Sequence, residues 1–112
     1  MKTLPDYIVP GLRLLFVGIN PSFHSSRSGH YYANPRNRFW NVLNAAELIP
    51  VRLTSENDFR VLEFGVGFTD IVKRPTPGVK DLANSEFING AVNLKKKLLA
   101  YQPRLICFQG VM

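Results

Sequence analysis

The sequence predicts an α/β fold built around a mainly parallel sheet, and three observations predict it. Residues 12–19 and 104–109 are apolar runs without an alternating polar face, as expected of strands covered on both sides. Phe87, Ala91, Leu94, Leu98 and Tyr101 recur at steps of four, three, four and three, which is one apolar helical face. A helix lying between two such strands is the connection that parallel pairing requires.

The elements follow in order. The first strand, 12–19, ends in Asn20-Pro21, which turns the chain. Residues 22–35 are rich in Ser, Gly, His and Tyr and follow neither a period of 2 nor one of 3.6, so they read as an irregular segment. Such segments in compact domains are usually functional or disordered, and His30, Tyr31 and Tyr32 argue against disorder. Asn34 and Pro35 read as the N-cap and first residue of a helix carrying Phe39, Leu43 and Ala46 on its apolar face and closed by Ile49-Pro50. Thr54 caps a shorter helix over 54–63 that ends near Gly65. Residues 67–72 form a short strand or extended turn, and 74–84, with two prolines and a glycine, form a loop. Ser85 caps a third helix, with Lys95, Lys96 and Lys97 on its solvated face and Pro103 at its end. Residues 104–109 complete the sheet. The chain stops soon after this strand, where open α/β sheets place a site and a following helix, so the domain reads as incomplete at its C-terminus.

Composition bounds the function. The 112 residues make one small domain, and 46% hydrophobic content is enough for a core. The longest apolar run, 14–17, is far short of the roughly 20 residues of a spanning helix. Residues 1–10 hold an acid, two prolines and no apolar h-region, so no signal peptide is expected. The single Cys107 excludes an internal disulfide and a cysteine-built zinc site. A soluble, cytoplasmic protein is expected. The net charge of +6 and a pI near 9.8 point to a polyanionic partner. Arg27, Arg36, Arg38, Lys73, Arg74 and Lys80 fall in loop-like segments, where they can meet phosphates.

Four features can carry chemistry. Asn20 stands where a buried strand meets a turn; its carbonyl oxygen can hold a water while its NH₂ donates elsewhere, and the alternative is an Asx turn beside Pro21. Tyr31 and Tyr32 offer a stacking platform for a base, or else simply cover the core. Asp70 is a lone acid among apolar neighbours: buried, it would serve as a base; exposed, it would be an ordinary strand end. His24 and His30 have no carboxylate or cysteine at metal-ligand spacing, so no metal is expected. No nucleophile elbow occurs, and Gly65-Val66-Gly67 lacks the third glycine of a phosphate loop.

Residues 18–40, GINPSFHSSRSGHYYANPRNRFW, resemble the first motif of the mismatch-specific uracil/thymine DNA glycosylases: Gly-Ile-Asn-Pro, a Gly-aromatic segment, then Pro-x-Asn-Arg/His-Phe-Trp. Residues 67–87, GFTDIVKRPTPGVKDLANSEF, and 101–110, YQPRLICFQG, are similar to two further stretches of that family, so the resemblance covers nearly the whole chain from Gly11. It implies a three-layer α/β/α sandwich. It implies an enzyme that flips uracil or thymine out of a pair with guanine in duplex DNA and hydrolyses the N-glycosidic bond. Carried over, Asn20 positions the attacking water, with Asp70 as the candidate acid beside it. Tyr32 stacks on the flipped base, backbone groups around Ile19, Ser22 and Tyr32 bind the pyrimidine edge, and Asn37 and Arg38 support the wall. Arg27, Arg36 and Lys73 are the expected DNA contacts. No cofactor is implied, and with no lysine at a nucleophile position a monomeric, monofunctional glycosylase is expected. The sequence departs from the family at Ser22, where glycine is frequent, and in lacking the later Pro-Ser-rich wedge loop with its strand and helix. The alternative is a non-catalytic, nucleic-acid-binding fragment.

Overall fold

A computed structural model describes residues 3–109 of the chain. Three parallel strands, β1 (Leu14–Gly18), β2 (Val66–Asp70) and β3 (Leu105–Phe108), form one sheet in the order β2-β1-β3. Two helices, α1 (Phe23–Ser28) and α2 (Phe39–Ala45), and a 3₁₀ segment (Ser55–Phe64) connect β1 to β2. Helix α3 (Asn84–Tyr101) connects β2 to β3.

β1 is apolar throughout because both of its faces are covered. Leu15 and Val17 pack with Leu12 and with Leu94 of α3. Phe16 points the other way and packs with Trp40 and Leu43 of α2, Val61 of the 3₁₀ segment and Phe68 of β2. The result is three layers, helices on both sides of the sheet. Each of these side chains contributes about 1.5–3 kcal/mol by leaving water, and the layers cannot separate without exposing several at once.

Register then positions the site. β1 pairs with β2 from Leu14 opposite Val66 to Gly18 opposite Asp70. The pairing continues past the strands, with Ile71 N–H donating to Gly18 O (2.9 Å) and Val72 N–H to Ile19 O (2.8 Å). Both carboxyl ends therefore finish at the same edge. The other edge of β2 is covered by the N-terminal segment, where Tyr7 and Phe68 exchange two backbone bonds of 2.9 Å in antiparallel fashion.

Several local expectations are corrected. Residues 22–35 are not wholly irregular: α1 forms there, its N-terminus capped by Ser22 Oγ accepting from Ser25 N–H (3.1 Å) and its C-terminus by Gly29 in the left-handed region. Asn34-Pro35 makes a turn rather than a helix start, because Asn34 Oδ1 accepts from Arg36 N–H; α2 begins four residues later at Phe39. Ala46 is exposed. The segment capped by Thr54 is 3₁₀, kinked at Asn57. Ser85 lies inside α3, whose first turn is capped by the Glu86 carboxylate on Ala83 N–H (2.8 Å). Ala91 is exposed, and its place on the buried face is shared out among Phe87, Gly90, Leu94 and Leu98. Lys97 is not solvated like Lys95 and Lys96: its Nζ sits 2.5 Å from Asp6 Oδ2. β3 is exposed rather than covered, with Leu105 67% and Phe108 62% accessible, because α3 lies over β1 and β2 and no described element covers the outer strand. Among the described residues no helix is long and apolar enough to cross a membrane.

Candidate active site

A cleft of about 860 Å³ opens at the carboxyl ends of β1 and β2. The turn at residues 18–22, Tyr32, Asn37, Phe39 and Asp70 all line it. Asn20 is held rigidly. Its Nδ2 donates to Arg74 O (2.9 Å) and to Thr76 Oγ1 (2.8 Å). A backbone carbonyl only accepts, so the amide orientation is fixed: both Nδ2 protons face the loop after β2. The Thr76 hydroxyl spends its own proton on Gly78 O (2.7 Å), and Thr76 N–H binds Pro21 O (3.2 Å). Oδ1 of Asn20 is left as the acceptor for a ligand or water.

Asp70 faces the same cleft from the next strand. It is 6% exposed, and its Oδ2 is buried without a hydrogen-bond partner among the described residues. The nearest cation, Lys73 Nζ, is 3.6 Å away. Burial pushes the Asp70 carboxyl up to about 6; Lys73 opposes that rise, and Asp6 adds to it. Gly18 permits the approach, since a Cβ there would lie 2.5 Å from Asp70 Oδ1. A buried acid with a pKa near neutrality can take or give a proton at ordinary pH.

The opposite wall is aromatic. Tyr32 stacks on Phe39, centroids 3.9 Å apart and rings 16° from parallel, and meets Phe68 edge-on at 5.6 Å. Its backbone φ is +53°, unusual for a residue with a large side chain. Burial, with the Asp70 charge nearby, pushes the Tyr32 hydroxyl far up, so it stays a neutral donor. Asn37 Oδ1 accepts from Phe39 N–H (2.8 Å), which turns the chain into α2 and leaves the Asn37 NH₂ group for the cleft. Ser22 is occupied as the cap of α1, and Ile19 contributes its backbone and side chain to the floor.

The structure therefore brings Ile19, Asn20, Ser22, Tyr32, Asn37 and Asp70 into one cleft, with Arg36 and Arg38 exposed along its lining. It does not bring Arg27 or Lys73 into that lining. Arg27 is exposed on α1, its Nε donating to Phe23 O (3.4 Å). Lys73 binds Asp6 (2.9 Å), whose other oxygen takes Lys97. Burial would raise the Asp6 carboxyl, but bonds from Lys97, Thr69 and Lys73 hold it below the ordinary carboxylate range. Arg74 is likewise engaged, forking onto Glu86 at 2.6 and 3.0 Å. The Arg74 bonds hold Glu86 down at about 2.

Sequence reasoning missed Thr76, Phe39 and Asp58. Thr76 lies between two prolines, a rigid setting that marks it only in hindsight. Phe39 reads as core by its spacing, yet it is half-buried and backs Tyr32. Asp58 is a fully buried acid on the 3₁₀ segment, and it holds the turn leading to Tyr32.

Comparisons with known proteins bear on the family and the fold. Residues 5–112 match a family model described as the uracil DNA glycosylase superfamily. Among solved structures, the chain is similar to the solution NMR structure of a candidate uracil DNA glycosylase from Methanosarcina acetivorans. The two are 25% identical with a TM-score of 0.65, the match covering 97% of this chain and 69% of the other.

Proposed function

The chain belongs to the uracil DNA glycosylase superfamily, and from that premise we propose that it hydrolyses the N-glycosidic bond of uracil or thymine mispaired with guanine in duplex DNA, as a monofunctional, cofactor-free monomer. The observation that carries this reading is the locked Asn20 amide, with both Nδ2 protons bonded and Oδ1 free beside an aromatic-walled cleft. Asn20 Oδ1 orients one water toward C1′ of the flipped nucleotide. As the C1′–N bond breaks, the base departs as an anion and the sugar becomes cation-like. Fixed N–H donors lining the turn at residues 18–22 stabilise that anion, as preorganised dipoles do in an oxyanion hole. Asp70, ionised above about pH 6, accepts the proton of the water as its oxygen bonds to C1′. Tyr32, backed by Phe39, stacks on the extruded base. A mismatched pair is cheaper to open, which supplies part of the selectivity. Arg36 and Arg38 at the cleft, together with Arg27, meet the phosphates.

Asn20→Ala tests the reading. Single-turnover release of uracil from a G·U duplex should fall at least about 10²-fold, with DNA affinity within about threefold of wild type. Full rate in Asn20→Ala would remove the role assigned to Asn20. The alternative reading, a nucleic-acid-binding fragment without activity, draws on the uncovered apolar edge of β3. A chain that binds the G·U duplex and releases no uracil from it would support that alternative.

A further inference from the structure

Asp58 lies outside the cleft, and its side chain is fully inaccessible. Two separate parts of the chain converge on it, the N-terminal segment through Tyr7 and the His30-Tyr31 turn. Oδ2 accepts Tyr31 N–H at 2.7 Å. Oδ1 accepts from the Tyr7 hydroxyl at 3.3 Å and from His30 Nδ1 at 3.1 Å. A carboxylate only accepts, so the His30 ring carries its proton on Nδ1. The residue that follows this anchor is Tyr32, whose positive φ costs on the order of 1 kcal/mol and persists only where neighbours impose it. Two neutral bonds help: Trp40 Nε1–H to Tyr31 O (3.0 Å) and Ala33 N–H to Ser25 Oγ (3.2 Å). Asp58 is the charged member of the clamp.

We propose that Asp58 is the positioning residue for the base-stacking ring: its carboxylate fixes the His30-Tyr31 turn and thereby the angle at which Tyr32 meets a pyrimidine. The proposal rests on the reading of the cleft as a base-binding site. It carries a chemical signature that a purely space-filling role lacks. In Asp58→Asn the amide oxygen still accepts Tyr31 N–H, and the NH₂ donates to a neutral His30 nitrogen. Once His30 takes up a second proton, two donors face each other and the turn is released. The other titratable group in contact is Tyr7, which stays neutral because burial and the Asp58 charge push it up to about 12. Lys73 reaches the Tyr31 hydroxyl at 3.5 Å, not this network.

The experiment compares wild type, Asp58→Ala, Asp58→Asn and Asp58→Asn/His30→Ala at about pH 8 and pH 5, the span over which an imidazole ordinarily charges. Ring-to-ring NOEs between Tyr32 and Phe39 report the geometry. Trp40, the single tryptophan, lies behind the cleft wall, edge-on to Phe39 at 5.3 Å, and its fluorescence reports the binding of free uracil. Wild type should keep the NOEs at both pH values, and uracil binding of each variant is compared with wild type at the same pH because Asp70 in the cleft changes charge over this span. Asp58→Ala should lose the NOEs and bind uracil at least about tenfold more weakly at both, the effect of one buried donor left unpaired. Asp58→Asn should resemble wild type at pH 8 and Asp58→Ala at pH 5, and adding His30→Ala should erase that step. Intact NOEs in Asp58→Ala, or an Asp58→Asn protein that behaves alike at both pH values, would overturn the proposal. Should Asp58→Ala fail to fold, the pH step of Asp58→Asn and its removal by His30→Ala decide alone. NOEs that follow the expected pattern in a protein that never responds to uracil would uphold the positioning role and refute the base-binding reading.

Discussion

Asn20 and Asp70 end adjacent strands and differ in what each can do with a proton. Asn20 cannot ionise, so its contribution is geometric, and two bonds to Arg74 and Thr76 remove its freedom to rotate. Asp70 can ionise, and the fold favours its neutral form. That preference has a signed consequence for stability. A carboxyl raised from 3.8 to about 6 binds its proton more tightly folded than unfolded, so its stabilising contribution is complete below about pH 4 and is lost as pH rises to about 6. Asp70→Asn mimics the neutral form at every pH. The variant should therefore be more stable than wild type at pH 7 by roughly 1–3 kcal/mol, with the gap closing toward pH 4. Thermal melts across that range measure it, and a gap independent of pH would mean that Asp70 is not held in this way. In single-turnover assays the same substitution should remove the acidic limb of the rate profile, because the water loses its proton acceptor. Asn20 was legible in the sequence because its motif is contiguous. Thr76 and Asp58 were not, because their partners lie 56 and 27 residues away in the chain, and only the folded structure brings them together.

At the scale of elements, helix α3 shows what periodicity reveals and what it hides. The recurrence of Phe87, Leu94 and Leu98 marked the buried face, but it did not show that the centre of that face must be a glycine. Gly90 is buried, and a Cβ there would overlap the carbonyl oxygen of Ile71, in the segment leaving β2. Alanine is the better helix former by about 1 kcal/mol, so an isolated α3 would gain from Gly90→Ala. In the folded protein the helix would have to lift off the strand end. A net loss of about 1–3 kcal/mol is expected by denaturant titration, as for other overpacked positions. An increase in stability would show that the contact relaxes freely. Helix α1 escaped periodicity for a different reason: six residues are under two turns, too few to display a stripe, and the informative signals were its ends, Ser22 and Gly29. The 3₁₀ segment and an α-helix share the same capping residues, so Thr54 located the element without giving its pitch.

Over the whole molecule, the +6 charge is unevenly available. Lys73 and Lys97 neutralise Asp6, Arg74 pairs with Glu86, and Arg13 binds the carbonyls of Leu48 and Phe64. Arg36 and Arg38, along the cleft, have no such side-chain partner among the described residues, which leaves two free positive charges where a phosphate backbone would lie. Composition disclosed the sign of the partner's charge, and only the ion pairs disclosed which residues remain to meet it. The sheet is equally lopsided. The N-terminal segment closes the β2 edge through Tyr7, whereas among the described residues β3 has one backbone edge unpaired and Leu105, Ile106 and Phe108 accessible. An unpaired apolar edge favours pairing with another chain. A longer chain that places a fourth parallel strand beside β3 should therefore melt higher than the 112-residue chain. Covering Leu105 and Phe108 contributes roughly 1–2 kcal/mol each, about 10 °C in a domain of this size. Phe108→Lys should leave the melting temperature of the 112-residue chain unchanged, since the side chain is already mostly in water. Equal melting of the two lengths, both monomeric by sedimentation, would mean that the β3 edge is stable uncovered and that the sheet does not need a fourth strand.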